Sequence, residues 1–163
     1  MAADLSPRRR PLRRARRAAF GGLAVALAVT VSACGGSQER KIGACPIRPG
    51  GLCAGNYMKG AQLAESNLYD ADFEHADLTK VDLSASDLSG ALFHAAQLGH
   101  ADLEGSNLSY ADLTGADLSG ANLDGVDLTA AEMEGAKVTS AQLATARLCR
   151  TRMADGTIAN PDC

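Results

Sequence analysis

A five-residue period runs through most of the chain and limits the folds that the chain can adopt. Every fifth residue from Leu63 through Ile158 is Leu, Phe, Met, Val or Ile, and the residue two positions earlier is usually Ala or another small residue. Within each five-residue unit, or pentad, the small residue is position 1 and the large apolar residue is position 3. Positions 2, 4 and 5 are mostly polar. The pattern covers residues 61–160, which is 100 of the 163 residues.

Neither an α-helix nor a flat strand buries the apolar residues of this pattern. On an α-helix five residues advance by about 500°, so successive apolar side chains scatter around the axis. On a strand an odd period places successive apolar side chains on opposite faces. A chain that turns a corner every five residues can point positions 1 and 3 inward on each short side. Four such sides close a coil of 20 residues, and coils then stack at the strand spacing of about 4.8 Å.

A second period of 20 residues supports the square coil. Ser66, Ser86 and Ser106 at position 1 lie 20 residues apart, and so do Phe73 and Phe93 at position 3. Identical side chains would therefore meet in successive coils, which suits close packing because equal volumes face each other. The sequence predicts an all-β fold, a four-sided solenoid of about five coils over residues 61–160.

The pentads resemble the pentapeptide repeat family, whose motif is A(D/N)LXX. The clearest copies are residues 101–105 (ADLEG), 111–115 (ADLTG) and 116–120 (ADLSG). The resemblance implies a right-handed quadrilateral parallel β-helix. Residues 148–156 (LCRTRMADG) are also similar to a closing segment that is common in exported members of the family.

The N-terminal 33 residues have the features of an export signal. Seven arginines within residues 8–17 precede an apolar run over residues 18–31. This run is too short to span a bilayer, which requires about 20 residues. Residues 31–34, Val-Ser-Ala-Cys, resemble the lipobox of bacterial lipoproteins. That resemblance implies that Cys34 carries a diacylglyceryl thioether, begins the mature chain and anchors it to the outer face of the bacterial cell membrane or cell envelope.

Four further cysteines favour an oxidising compartment. An even number of cysteines in an exported chain indicates two disulfides, for which three pairings exist. The cysteines form two sequence-local pairs, one before the repeats and one at their end, so we expect Cys45–Cys53 and Cys149–Cys163. A zinc site is the alternative, but the spacings do not fit one.

The sequence predicts five segments in chain order. They are a lipoprotein signal peptide over residues 1–33, a flexible tether over 34–44, an N-terminal cap and partial coil over 45–60, the β-helix over 61–160, and the end of a C-terminal cap over 161–163.

Charge is distributed unevenly, and this excludes an ordinary nucleic-acid-binding protein. Residues 34–163 carry nine Lys and Arg against eighteen Asp and Glu, a formal charge of −9. Phosphate contacts require basic patches, which this part of the chain lacks.

Position 2 points outward, and on two faces Asp alternates with a neutral or basic residue from coil to coil. This alternation relieves a repulsion of about 1 kcal/mol between stacked carboxylates. The residues are Asn67, Asp87, Asn107, Asp127 and Arg147 on the second face, and Asp77, Gln97, Asp117, Lys137 and Thr157 on the fourth.

The other two faces keep acidic residues together and form the candidate binding face. Its residues are Asp82, Asp102, Glu104 and Asp124 on or beside the first face, and Asp112, Glu132 and Glu134 on or beside the third. Such a surface either keeps the protein soluble or binds a basic partner or divalent cations. Leu92 stands where Asp is expected and is either a tolerated exposed residue or an interface anchor.

The sequence contains no convincing catalytic or metal site, so we expect a non-enzymatic protein without cofactor or small-molecule substrate. Glu74, His75 and His94 fall in adjacent coils, but three solvated ligands without supporting contacts make a poor metal site. One face carries a ladder of hydroxyls without a histidine to activate them. These hydroxyls belong to Ser89, Ser109 and Thr129.

Three functions are compatible with these features. The first is a lipid-anchored rigid scaffold or protein-binding module that recognises an envelope protein, one with a basic surface, through the acidic face. The second is a DNA-mimicking topoisomerase inhibitor, which the family includes, but this requires a cytoplasmic protein and conflicts with the export signal and paired cysteines. The third is a passive structural spacer.

Overall fold

The computed structural model describes residues 41–163, and most of this range forms a β-helix of stacked 20-residue coils. Parallel β-bridges join residues that are 20 apart, beginning with Leu52 and Asp72 and ending with Glu132 and Arg152. Each coil therefore pairs only with the coil before it and the coil after it. The 20-residue register that the sequence predicts is present over this range.

Backbone hydrogen bonds between coils repeat the same pattern in each pentad. The N–H of position 2 donates to the position 1 carbonyl of the preceding coil, as Asp82 does to Ala61 at 2.9 Å. The N–H of position 3 donates to the position 2 carbonyl of the following coil, as Leu83 does to Asp102 at 2.8 Å. The buried backbone N–H and C=O groups of each coil are thus paired with the neighbouring coils, although the chain forms no long strand.

A left-handed residue makes each corner. From the pentad 51–55 to the pentad 131–135, position 5 has a φ between 52° and 72° in every pentad. The next N–H then bonds back to the position 3 carbonyl, as Ala91 does to Leu88 at 3.1 Å. Left-handed φ costs a residue with a side chain about 1–2 kcal/mol, and glycine avoids this cost. This explains why glycine is frequent at position 5 although other residues also occupy it.

Positions 1 and 3 fill a narrow interior. Every position 3 residue from Leu63 through Met133 is buried, and Ala occupies many of the buried position 1 sites. The rings of Phe73 and Phe93 stack, with centroids 5.1 Å apart and planes at 12°. The interior has room for four large and four small side chains per coil, which accounts for the scarcity of aromatic residues.

One buried hydroxyl joins two coils. The Ser86 hydroxyl donates to the Leu63 carbonyl at 2.9 Å and accepts from the Ser66 N–H at 3.1 Å. It takes the place of the direct Ser66-to-Leu63 bond that closes the other corners. The buried Ser86 hydroxyl therefore has both a donor and an acceptor partner, which avoids the cost of a buried unpaired donor.

A short hairpin closes the N-terminal end. Strand β1 (Lys41–Ile42) pairs antiparallel with strand β2 (Cys45–Pro46), and Gly43 turns between them with a φ of 62°. Cys45 is buried and forms a disulfide with Cys53, at a Cα–Cα distance of 4.6 Å. Residues 41–44, predicted as part of the tether, belong to this hairpin, because the buried disulfide holds the hairpin against the first coil.

The regular coil ends earlier than the sequence predicts. Residues 140–145 form turns where the first side would recur, and Gln142 makes no parallel bridge. The corner positions Ser140 and Thr145 lack left-handed φ. The Gln142 side-chain amide donates to the Ala121 carbonyl at 3.0 Å, which in a regular coil would accept the backbone N–H of Gln142. A side chain thus replaces the ladder bond while the backbone leaves the coil.

The last pentad folds back on the β-helix. Strand β3 (Thr151–Arg152) pairs antiparallel with strand β4 (Ile158–Ala159), and Ile158 is half exposed. The prediction that residues 156–160 continue the β-helix, with Ile158 inside and Thr157 in the fourth face, is wrong. The chain reverses at Gly156, which has a φ of 80°.

The reversed tail covers the edge of the last coil. Asp162 accepts the Leu148 N–H at 2.7 Å, and Asn160 accepts the Arg150 N–H at 2.8 Å. The Cys149–Cys163 disulfide, with a Cα–Cα distance of 5.0 Å, ties the tail down. Covering these groups matters because an open strand edge invites association with other chains. The two disulfides, Cys45–Cys53 and Cys149–Cys163, are the pairs expected from the sequence.

Two substitutions at one corner test the role of the left-handed residue. Ala85 and Gly105 occupy the same corner in adjacent coils, with φ of 52° and 63°. Ala85→Gly should raise the free energy of unfolding by about 0.5–1 kcal/mol, because relief of left-handed strain exceeds the entropy that glycine adds to the unfolded chain. Gly105→Ala should lower it by about 1 kcal/mol, although a Cβ there meets nothing within 4 Å.

Urea denaturation followed by circular dichroism measures both changes. Opposite signs for the two variants support the corner constraint. Equal signs would show that packing, and not backbone conformation, controls the corner.

Candidate binding surface

The outward side chains at position 2 form four columns, in which each residue bridges the residue 20 positions later. The first column contains Gln62, Asp82, Asp102 and Asn122, and the second contains Asn67, Asp87, Asn107, Asp127 and Arg147. The third column contains Leu52, Asp72, Leu92, Asp112, Glu132 and Arg152, and the fourth contains Tyr57, Asp77, Gln97, Asp117 and Lys137.

Asp and Asn in these columns also hold the corners. The Asp77 carboxylate accepts the Thr79 N–H at 3.0 Å and the Thr79 hydroxyl at 2.6 Å. The same contacts join Asp87 to Ser89. The Thr79 hydroxyl, and then its N–H, lower the pKa of Asp77 below its ordinary value. Such side-chain turns are a known use of Asp and Asn. This role of Asp and Asn was not predicted, although the recurring Asp-Leu-Ser/Thr spacing signals it.

Neutral amides separate some carboxylates along the columns. The Asn107 amide donates to the Asp87 carboxylate at 3.3 Å, and the Asn122 amide donates to the Asp102 carboxylate at 3.2 Å. Where Asp would face Asp in the next coil, Asn supplies a donor in its place. The alternation predicted for the second face therefore includes a direct hydrogen bond between Asn107 and Asp87, and Asn122 makes the same contact on the first face.

Three of the four columns end in an ion pair. Lys137 lies 3.0 Å from Asp117, Arg147 lies 3.5 Å from Asp127, and Arg152 contacts Glu132. Exposed pairs of this kind contribute about 0.2–1 kcal/mol each. Their main effect here is electrostatic, since each neutralises the last carboxylate of its column.

The first column has no such cation. Its carboxylates Asp82 and Asp102, together with Glu104 and Asp124 at position 4 of the same side, are defined as the first-face acidic cluster. Asn122 donates to both Asp102 and Glu104, at 3.2 and 3.3 Å. The Thr145 hydroxyl donates to Asp124 at 2.9 Å. Within residues 41–163, no Lys or Arg forms an ion pair with these four carboxylates. Neutral donors therefore position the cluster but leave its charge in place.

The remaining candidate acids lie on a different side of the coil. Asp112, Glu132 and Glu134 belong to the third side, which is two corners away from the first. Glu132 is paired with Arg152, and Asp112 accepts the Thr114 N–H at 2.9 Å. The seven candidate acids thus form two separate groups, of which the first-face acidic cluster is the one without a cation.

The remaining candidate residues occupy positions 2, 4 and 5 of their pentads. The rings of His75 and His94 meet edge to face with centroids 5.7 Å apart, and residues 41–163 contain no group of three or more potential metal ligands. The hydroxyls of Ser89 and Ser109 donate to the position 2 side chains of their own pentads. Leu92 is 38% exposed.

The anchor falls outside the described part of the chain. Cys34, the signal segment 1–33 and most of the predicted tether precede residue 41, where the description begins. In the described range, no helix has the length and apolar character needed to cross a membrane.

Asp117 provides a test of the column contacts. The Ser119 hydroxyl, Lys137 and the Ser119 N–H lower the pKa of Asp117 to about 2. Because this pKa lies below the unfolded value of about 3.9, Asp117 stabilises the fold fully above about pH 4. The contribution is lost as pH falls from there toward 2. Lys137→Ala should raise the pKa of Asp117 but leave it below the unfolded value, since Ser119 still donates.

Carboxyl-carbon NMR across a pH titration measures this pKa. Arg147→Ala, which removes the cation of a neighbouring column, is the control and should leave Asp117 unchanged. An unchanged Asp117 pKa in Lys137→Ala would contradict the contact.

The family model for pentapeptide repeats (8 copies) matches residues 57–94, 86–125, 96–135 and 106–144, which together exceed half of the chain. No curated protein sequence matches the chain.

Three solved structures are similar to this chain. The pentapeptide repeat protein Rfr23 from the cyanobacterium Cyanothece 51142 is 34% identical over 53% of this chain and 56% of its own, with a TM-score of 0.47. The pentapeptide repeat protein alr5209 from Nostoc PCC 7120 is 28% identical over 57% and 80%, with a TM-score of 0.50. HetL from Nostoc sp. strain PCC 7120, involved in heterocyst differentiation regulation, is 29% identical over 68% and 62%, with a TM-score of 0.39.

The chain spans just over half of the length of Rfr23. Pentapeptide repeat proteins form right-handed β-helices. The matched residues coincide with the coils described above, so the sequence match and the geometry agree. The chain belongs to the pentapeptide repeat family, and its fold is a right-handed β-helix.

Proposed function

We propose that this protein is a non-enzymatic, lipid-anchored envelope protein that acts as a rigid scaffold or protein-binding module. The first-face acidic cluster is its binding surface, and an envelope protein with a basic surface is its partner. The observation that carries the proposal is the contrast between columns. Three columns end in a cation, whereas the four carboxylates of the cluster have no cation among the described residues.

Hydrogen bonds order the first-face acidic cluster before a partner binds, and this supports the proposal. Asp102 is held by the Glu104 N–H and by the Asn122 amide, so its carboxylate has a fixed position before any partner arrives. A surface that is already ordered loses little conformational entropy on binding. Unneutralised carboxylates also attract a basic partner over distance and raise its association rate.

The anchor rests on the resemblance of residues 31–34 to a lipobox. Two disulfides at the ends of the β-helix fit a protein that folds in an oxidising compartment. They weigh against the cytoplasmic alternative, a DNA-mimicking topoisomerase inhibitor.

A non-enzymatic role is supported by the hydroxyl ladder. The Ser89 hydroxyl donates to Asp87 at 2.6 Å and the Ser109 hydroxyl donates to Asn107 at 2.7 Å. Neither of these hydroxyls has a histidine base in the described structure. We propose no cofactor and no small-molecule substrate.

We further propose that the rod contains about five coils. The parallel bridges run from Leu52 to Arg152, a span of five 20-residue steps. At about 4.8 Å per coil the rod is about 24 Å long. This length would separate its two ends by roughly the thickness of a small domain.

The binding surface is tested by in-cell crosslinking and pull-down of the full-length protein. The variant carries Asp82→Asn, Asp102→Asn and Asp124→Asn. At Asp82 and Asp102, Asn at position 2 still accepts the corner N–H, as Asn107 does for Ser109 at 3.1 Å. At Asp124, which is position 4, the amide oxygen of Asn still accepts the Thr145 hydroxyl, so the fold is preserved. The wild type should capture a partner that the triple variant loses, and high salt should weaken capture because exposed charges are screened.

The matched control changes the opposite side, with Asp112→Asn, Glu132→Gln and Glu134→Gln, and should keep the partner. Capture by both triple variants would place the binding surface elsewhere. No capture by the wild type would favour the third function, a passive spacer.

The anchor is tested separately by Cys34→Ser. Wild-type protein should incorporate an alkyne-labelled fatty acid and fractionate with membranes, whereas Cys34→Ser should do neither. A Cys53→Ser variant controls for loss of a cysteine in general and should keep the label. A label that persists in Cys34→Ser, or soluble wild-type protein with free thiols, would contradict lipid anchoring and revive the cytoplasmic alternative.

A further inference from the structure

One corner of the β-helix carries exposed apolar side chains in three successive coils. Tyr69 is 49% exposed, Leu92 is 38% exposed and Tyr110 is 71% exposed. Tyr69 and Tyr110 are positions 4 and 5 of pentads on the second side, and Leu92 is position 2 on the third side, one coil after Tyr69. Gly90 lies at the corner between them. We call these four residues the tyrosine corner.

Gly90 keeps the middle of this corner bare. Its φ is 69°, and a Cβ at this position would collide with the Asp70 carboxylate and lie 4.0 Å from the Tyr69 ring. The side chains of Tyr69 and Asp70 thus extend across Gly90 toward the next coil. A larger residue at Gly90 would displace them, so the arrangement depends on glycine for space as well as for conformation.

Carboxylates surround the tyrosine corner. The neighbouring Asp70 carboxylate and, more weakly, Asp87 raise the pKa of Tyr69 above its ordinary value. Asp72 and Asp112 bridge Leu92 on both sides in the third column. The corner is therefore an apolar centre with an acidic border.

Cations of the regular coils lie on another side. Between residues 51 and 140 the basic residues are Lys59, Lys80 and Lys137, and all three belong to pentads of the fourth side. Within residues 51–140 the corner between the second and third sides is therefore free of Lys and Arg, and in the last coil Arg147 pairs with Asp127 and Arg152 with Glu132.

We propose that the tyrosine corner is a docking surface for a basic protein segment in which Lys or Arg flank an apolar side chain. Exposed tyrosines within a polar border are typical of the energetic centres of interfaces. The tyrosine rings accept cations on their faces and the carboxylates pair with the same cations. Leu92 supplies the contact for the apolar residue of the segment. This surface is distinct from the first-face acidic cluster and does not depend on it.

Two synthetic peptides of equal charge serve as probes, one alternating Lys with Leu and the other alternating Lys with Ser. Their affinity for the full-length protein in a nonionic detergent is measured by fluorescence anisotropy. The Lys-Leu peptide should bind more tightly than the Lys-Ser peptide. Tyr69→Ser combined with Tyr110→Ser should weaken the Lys-Leu peptide about tenfold.

Tyr57→Ser is the matched control, because Tyr57 is also 71% exposed but lies on the fourth side. It should leave the affinity unchanged. Loss of affinity in Tyr57→Ser equal to that in the double variant would overturn the proposal, as would equal affinity for the two peptides.

Leu92→Asp separates apolar docking from charge attraction. Asp occupies the same column position in the adjacent coils, so the fold accepts it. Attraction by charge alone would make Leu92→Asp bind the Lys-Leu peptide more tightly, and this result would overturn the proposal. Docking at the tyrosine corner predicts weaker binding despite the added negative charge. The Asp82, Asp102 and Asp124 triple variant should keep at least half of the affinity, so failure of one surface is distinguishable from failure of the other.

Discussion

The left-handed residue at position 5 is the constraint on which the rest of this protein depends. It ends each side after five residues and turns the next side through one corner. Since the corners recur without change from Gly55 to Gly135, every coil has the same number of residues. Positions 1 and 3 therefore always face inward, and position 2 always faces the same column. Hydrogen bonds, core stacking and charge pairing between coils all require this constant count.

The regular part of the fold could be predicted because burial and corner formation share one period there. Where they separate, the prediction fails. Val138, Leu143 and Ile158 continue the apolar period, yet Ser140 and Thr145 do not adopt the corner conformation and the chain leaves the coil. The apolar pattern reports which residues prefer the interior, but it does not report how the backbone edge of the last coil is closed. That closure is decided by side chains and by the returning tail. The resemblance of residues 148–156 to a closing segment points to a cap, but the apolar period does not show how the chain folds back.

The sequence predicted which acidic residues form the candidate surface, but it did not predict the contacts between their side chains. The acidic residues are visible in the sequence, and the column assignment follows from the 20-residue period. The pairing of Arg152 with Glu132 and the bridging of Asp102 and Glu104 by Asn122 depend on side-chain conformation. These contacts divide one predicted acidic surface into a neutralised part and a charged part. The tyrosine corner was missed for a related reason, because Tyr69 and Tyr110 occupy different pentad positions and share no sequence period.

The 20-residue spacing of side-chain contacts also restricts how such a chain can evolve. The Phe73–Phe93 stack, the bond of Ser86 to Ser66 and the three column-ending ion pairs all join residues 20 apart. Gain or loss of a single pentad would keep the apolar period but rotate every later residue by a quarter turn, so that each pair would lose its partner. Gain or loss of four pentads would preserve them all. Tandem duplication of whole coils is thus the tolerated route to a longer rod, and its length is expected to change among relatives in steps of about 4.8 Å.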